Sequence, residues 1–159
     1  VKAVLLGGAA GGFVGPERLD LPLTFEGVRE AGATLGSGVI MVYDETADIA
    51  DSLRRIAEFF RHESCGQCVP CRVGTVRQLE LLDALSAPSV PSAALSLSAP
   101  SALSAAPLIS ASSAALVYSE LSASMKDASI CGLGQTASAA IESALKLGLL
   151  SQRDVSRDK

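Results

Sequence analysis

Residues 62–74 read HESCGQCVPCRVG, with Cys65, Cys68 and Cys71 at C-x2-C-x2-C spacing. A fourth cysteine, Cys131, follows far downstream in SICGLGQTA at residues 129–137, and the chain has no fifth. Two residues between successive cysteines let a tight loop turn three thiolates toward one centre, and the fourth ligand then arrives from elsewhere. Four thiolates split three and one suit a 4Fe-4S cluster. Four-cysteine zinc sites more often present two separated pairs, and a C-x-x-C pair also serves disulfide or redox thiol chemistry. The iron-sulfur reading is favoured over both alternatives, which stay open on spacing alone. Gly66 lets the backbone approach an inorganic core with its N–H free, and Pro70 holds the loop just before the third cysteine; both also suit any tight loop. Arg72 is placed either to offset the charge of a cluster or to stand exposed on the first turn of a helix. His62, the one histidine, closes a helical run and reads as solvated and not as a ligand.

The chain has 159 residues and a net charge of −4, enough for one domain or two small ones and without the basic footprint that nucleic acid requires. It opens at Val1 inside an apolar run and is read as a fragment. No secretory or transit signal is evident, and cysteines in a metal pattern imply a reducing compartment: the cytoplasm, or the cytoplasmic face of a membrane complex. Residues 84–119 carry no charge, yet they are too rich in serine and proline to insert into a membrane.

HESCGQCVPCRVGT followed by DASICGLGQTA resembles the C-terminal part of the NADH-binding flavoprotein subunit of NADH dehydrogenase. That family includes the beta subunits of NAD-dependent formate dehydrogenases and the diaphorase subunits of NAD-linked hydrogenases. KAVLLGG at residues 2–8, LDLPLTFEGVREAGATLGSG at 19–38 and LGSGVIMVYDETAD at 35–48 resemble it as well. The resemblance implies a mainly α protein, a small helical bundle carrying one 4Fe-4S cluster, preceded by a partial β-grasp (α/β) segment. Residues 1–45 would be the second half of a ubiquitin-like unit with an unpaired edge, and residues 46–159 the cluster domain, interrupted by a linker at 86–116. Cys65, Cys68, Cys71 and Cys131 would be the ligands, with Gly132 and Leu133 facing the flavin. The family's FMN and NAD sites lie upstream, so this stretch is expected to bind neither alone and not to be catalytic alone. Its function would be electron transfer between flavin and the clusters of partner iron-sulfur subunits. A zinc-stabilised structural module and a non-functional remnant of that flavoprotein are the alternatives.

Along the chain, Lys2–Leu6 is predicted as a strand, and GGAAGG after it as a plain loop, because no complete βαβ unit surrounds it. Thr24–Ala31 is predicted as a short helix stopped by Gly32, and Val39–Tyr43 as a second strand. Asp44–His62 is predicted as a helix that buries Ile49, Leu53, Ile56 and Phe60, with Phe59 widening the face. A second helix through about Leu85 would bury Val73, Val76, Leu79 and Leu82. From Ser86 to Leu116, ten serines, ten alanines and four prolines break both helical and strand periodicity, so the stretch reads as linker. The family would have a charged amphipathic helical connection there, a departure that compensated frameshifts in a GC-rich gene would produce. A third helix would bury Val117, Leu121 and Met125 beside Leu116. The two glycines behind Cys131 are read as allowing tight curvature, or as a plain turn into a helix. Thr136 would cap that helix, which buries Ile141, Ala144 and Leu145 and ends near Gly148. The charged tail SQRDVSRDK is expected to lack fixed structure.

Overall fold

The computed structural model describes residues 1–86 and 111–150. The charged tail at 151–159 and most of the serine-alanine stretch, residues 87–110, lie outside the described residues.

A three-stranded antiparallel sheet is ordered β2-β1-β3, from β1 (Ala3–Leu6), β2 (Gly12–Val14) and β3 (Ile40–Tyr43). Leu5 stands opposite Phe13 on one side and Met41 on the other. All of β1 is buried, and its alternating side chains serve two different cores. Ala3 and Leu5 join Phe13 and Tyr43 on the face toward the large helices. Val4 and Leu6 join Val14 and Val28, the latter from helix α1 (Phe25–Glu30), on the other. The sequence reading missed β2. It is only three residues long and sits between GGAAGG, whose Gly8–Ala10 form a 3-10 turn, and a proline-containing stretch. The α1 start follows from Thr24, whose Oγ1 accepts the Gly27 N–H at 3.1 Å, and Gly32 ends it at φ +77°.

Helix α2 spans Ile49–Glu63 and begins five residues later than expected. Asp44 is instead drawn into a local turn, its Oδ1 accepting from the Thr46 N–H at 3.0 Å and hydroxyl at 2.7 Å. Asp48 is the N-cap, accepting the Asp51 N–H at 3.0 Å. Ile49, Leu53, Ala57 and Phe60 are buried and Ile56 is half-buried, but Phe59 is 48% exposed and does not widen the face.

Helices α3 (Val69–Ser86), α4 (Ala111–Ala128), α5 (Gly132–Thr136) and α6 (Ala139–Lys146) complete the order. The α4 start places residues 111–116 in helix. Two expected stripes are corrected. On α3, Val73 and Val76 are exposed, and Cys71, Thr75, Gln78, Leu79 and Leu82 face inward. On α4, Leu116 and Val117 are exposed, Leu121 is half-buried, and Tyr118, Ser122 and Met125 face inward. Polar pairing explains both. The Gln78 amide donates to Ala137 C=O at 3.0 Å, the Tyr118 hydroxyl donates to Gln78 Oε1 at 3.1 Å, and the Ser122 hydroxyl donates to Ser138 Oγ at 2.8 Å. Buried polar groups that satisfy one another pack where apolar ones were expected.

Thr136 does not cap the last helix. It ends α5, its hydroxyl donating to Gly132 C=O at 2.8 Å, and Ser138 precedes α6. Ile141 and Ala144 are fully buried as expected, Leu145 packs against the same core, and Gly148 lies just beyond the helix end. One core contains Leu5, Phe13 and Tyr43 of the sheet together with Leu53, Leu79, Tyr118 and Ile141 of the helices. The protein is thus mainly α with a small β segment. Among the described residues, no helix is long and apolar enough to cross a membrane.

Candidate metal centre

The loop between α2 and α3 begins where Ser64 takes an extended conformation, φ −65° and ψ 121°, and stops α2. Gly66 turns the chain at φ +77°, a region that L side chains rarely enter, so here the glycine is required. Its N–H donates to Ser64 Oγ at 3.4 Å. Arg72 reaches back from α3 and donates from Nη1 to Gly66 C=O at 3.3 Å. This exposed arginine therefore braces the loop, a contact that spacing alone did not reveal. Cys71 lies in the first turns of α3, and the Arg72 N–H bonded to Cys68 C=O at 3.0 Å continues the helical pattern back to Cys68.

The second loop joins α4 to α5. Ser129 N–H bonds Met125 C=O at 3.2 Å, and the Gln135 amide donates to Ser129 C=O at 2.9 Å, closing the turn around Cys131. Cys131 precedes α5 in extended conformation. Neither glycine behind it has positive φ, so curvature is not their role. Gly132 faces open space, whereas a Cβ on Gly134 would strike Ser129 and come within 2.8 Å of Cys71 Cβ. Gly134 is there so that α5 can press against the cysteine loop.

The fold brings all four cysteines to one opening of about 270 Å³, lined also by Ser64, Ile130 and Leu133. Cys71 forms its buried floor, Cys68 is half-buried, and Cys65 and Cys131 are exposed at the mouth. His62 is exposed and does not line the opening, and neither does Gly132. Burial pushes the Cys71 thiol up, opposed by the Ser64 hydroxyl; the charges of Cys68, Cys131 and Cys65 push it further up. All four sulfurs therefore share one electrostatic neighbourhood. Cys68 moves the other way. Its thiol is lowered by the Ile130 backbone N–H, then by that of Cys71, with the Ser129 hydroxyl adding to them against burial. The thiolate form is the one that ligates metal.

Among the described residues, no group of three or more His, Cys, Asp or Glu side chains is arranged to hold a single metal ion. Close to the cysteines, Ser129 has an Oγ that is buried without a hydrogen-bond partner. It favours the Cys68 thiolate by proximity while falling short of full hydrogen-bond geometry. Sequence reasoning passed over both Ser64 and Ser129; their positions one residue before Cys65 and two before Cys131 were the available signal.

A family model described as the NADH-ubiquinone oxidoreductase-F iron-sulfur binding region matches residues 51–147, which include all four cysteines. The chain belongs to this family. A 4Fe-4S cluster is the cofactor of this iron-sulfur binding region, and the donor set at the opening fits it. The NADH-quinone oxidoreductase F subunit of Mycobacterium bovis is 46% identical over 69 residues, 43% of this chain and 16% of the relative. Its counterpart in Streptomyces coelicolor is 42% identical over 81 residues, 51% of this chain and 18% of the relative. In fold, the chain is similar to part of an NAD+-reducing NiFe hydrogenase solved in the H2-reduced state. The TM-score is 0.69 at 26% identity, over 97% of this chain and 24% of that one. The chain thus spans less than a fifth of the length of these curated relatives.

Proposed function

We propose that Cys65, Cys68, Cys71 and Cys131 ligate one 4Fe-4S cluster, and that the chain serves as an electron-relay segment of an NAD-linked flavoprotein subunit. The observation that carries the reading is the gathering of all four thiols at one opening from two loops far apart in sequence. When bound, the cluster supplies one-electron redox chemistry. The residues present it to solvent on one side and to a packed core on the other. Cys71 sits deepest, against α5, while Cys65 and Cys131 stand at the exposed mouth where an electron enters or leaves.

FMN and NAD belong, in this reading, to the much longer intact subunit, since the chain spans only 16–18% of the curated relatives. Leu133 lines the opening and is the residue of the Gly132–Leu133 pair better placed to meet a flavin-bearing surface. Partner subunits with their own iron-sulfur clusters accept or deliver the electrons. A NADH-oxidising and a NAD+-reducing direction both fit, as the names of the relatives illustrate. The proposed location is the cytoplasm or the cytoplasmic face of a membrane complex. The division at residue 45 into a β-grasp segment and a cluster domain is kept as part of the proposal, with the two sharing a core.

The test is anaerobic reconstitution of the whole chain with iron and sulfide, then metal counts and EPR after dithionite reduction, for wild type and Cys131→Ser. About four irons with matching sulfide and a fast-relaxing signal, both diminished in the variant, is the expected result. One zinc per chain, or iron content unchanged by Cys131→Ser, would overturn the assignment.

A further inference from the structure

Two serine hydroxyls flank the sulfurs from opposite loops. Ser64 Oγ lies 3.4 Å from Cys71 Sγ at the end of α2. Ser129, 4% exposed, has an Oγ that is buried and without a hydrogen-bond partner; a Cβ on Gly134 would meet both this hydroxyl and Cys71, and the hydroxyl is among the groups that lower the Cys68 thiol. A buried hydroxyl left unpaired is destabilising, so its retention beside the cysteines calls for a better acceptor than an uncharged thiol. Cluster-bound thiolates are such acceptors. They carry negative charge, and a reduced cluster places more charge on them than an oxidised one.

We infer that Ser129 and Ser64 donate hydrogen bonds to the thiolates of Cys68 and Cys71 and so raise the reduction potential of the bound cluster. The inference rests on the ligand assignment above and adds to it the groups that set the potential. The serines act through the ligands. No proton is transferred: one electron enters the cluster, and the hydroxyl dipoles stabilise the added charge more than the charge present before. Hydrogen bonds to sulfur are among the determinants of cluster potential in general. The Ile130 backbone N–H, first among the groups that lower the Cys68 thiol, belongs to the same set, but the two hydroxyls are the members that substitution can remove without altering the backbone.

The experiment uses the reconstituted whole chain. Ser129→Ala, Ser64→Ala, the double variant and Ser64→Thr are each checked for iron and sulfide content and then titrated against applied potential by EPR. In D2O, deuteron couplings to the reduced cluster are recorded by pulsed EPR. The inference requires four irons in each alanine variant, a midpoint shifted negative in each and further in the double variant, and loss of an exchangeable deuteron coupling. A single removal is expected to change the reduced-to-oxidised ratio at fixed potential on the order of tenfold, which is 59 mV for a one-electron couple. Ser64→Thr, which keeps the hydroxyl, restores the wild-type midpoint. Unchanged midpoints in loaded alanine variants would overturn the inference and leave the ligand assignment standing. Loss of iron from both alanine variants would also overturn it, since the serines would then assemble the site and not tune it. Failure of the wild type to bind iron and sulfide would remove both readings together.

Discussion

Gly134 and Cys71 are packed so closely that a Cβ on Gly134 would lie 2.8 Å from Cys71 Cβ while also striking Ser129. Helix α5 and the cysteine loop can therefore meet only with hydrogen at this position. Gly134→Ala should push the two loops apart, costing about 1–3 kcal/mol and lowering iron content after reconstitution. Gly132→Ala, which meets open space, should change stability by no more than about 0.5 kcal/mol. Denaturant midpoints and iron counts for the pair check this; equal effects from both substitutions would contradict the packing argument.

The polar seam between α3, α4 and α6 predicts strong coupling. Gln78→Leu removes the donor to Ala137 C=O and the shorter of the two acceptors of the Tyr118 hydroxyl, leaving it Ser138 C=O at 3.4 Å, and should destabilise by about 1–3 kcal/mol. Tyr118→Phe should cost about 1 kcal/mol, leaving Gln78 Oε1 without its donor. The double variant should lose less than the sum, because the Gln78 Oε1 that Tyr118→Phe strands is absent from it. Additive losses in a double-mutant cycle would show that the seam is not one unit. Tyr118 also predicts alkaline behaviour. Burial first, then the Glu142 charge, raises its pKa well above the ordinary value. The stability it contributes is full below the unfolded pKa of about 10 and declines as pH rises above it, a decline that Tyr118→Phe should lessen.

Glu142 supplies an acid-side dependence. Burial would raise its pKa, but the Lys146 hydrogen bond at 3.0 Å, the charges of Lys126 and Lys146 and the Ser122 hydroxyl outweigh it and hold the carboxyl below its ordinary value. A depressed folded pKa means that the contribution is present above the unfolded pKa, about 4.3, and is lost as pH falls through the folded one. Glu142→Gln should cost under about 1 kcal/mol near pH 7, since the pair is partly solvated. The gap between wild type and variant should close as the pH is taken below about 4. Thermal midpoints across that range decide it; a gap independent of pH would assign the effect to packing.

Strand β3 is an edge of the sheet and exposes Ile40, Met41 and Val42, the last at 64%. An apolar edge of this kind invites pairing with another strand. Val42→Lys should reduce self-association in light scattering while leaving the unfolding midpoint nearly unchanged. A large loss of stability in the variant would mean that Val42 packs within the fold.

The cysteine spacing, the strands around Leu5 and Val42, and the inward face of α2 were legible because each depends on local chain geometry or on apolar residues at a regular period. The faces of α3 and α4 were not. Their buried positions include Thr75, Gln78 and Ser122, which are acceptable inside only because hydrogen-bond partners within the fold satisfy them. Hydrophobic periodicity therefore selected Val73, Val76 and Val117, which the fold leaves exposed. Strand β2 was hidden for a related reason: its three residues make a strand only by pairing with β1.

By itself the sequence determined the candidate donors, four thiols split three and one, since ligand chemistry and loop reach are properties of residue type and spacing. Only the tertiary structure decided that Cys131 returns to the same opening, that Gly134 is there for contact and not for curvature, that Ser64 Oγ lies 3.4 Å from Cys71 Sγ, and that Ser129 Oγ is buried without a partner close to Gly134. The first two relations join residues tens of positions apart. They exist only after helix packing has brought two loops together, which no local pattern encodes.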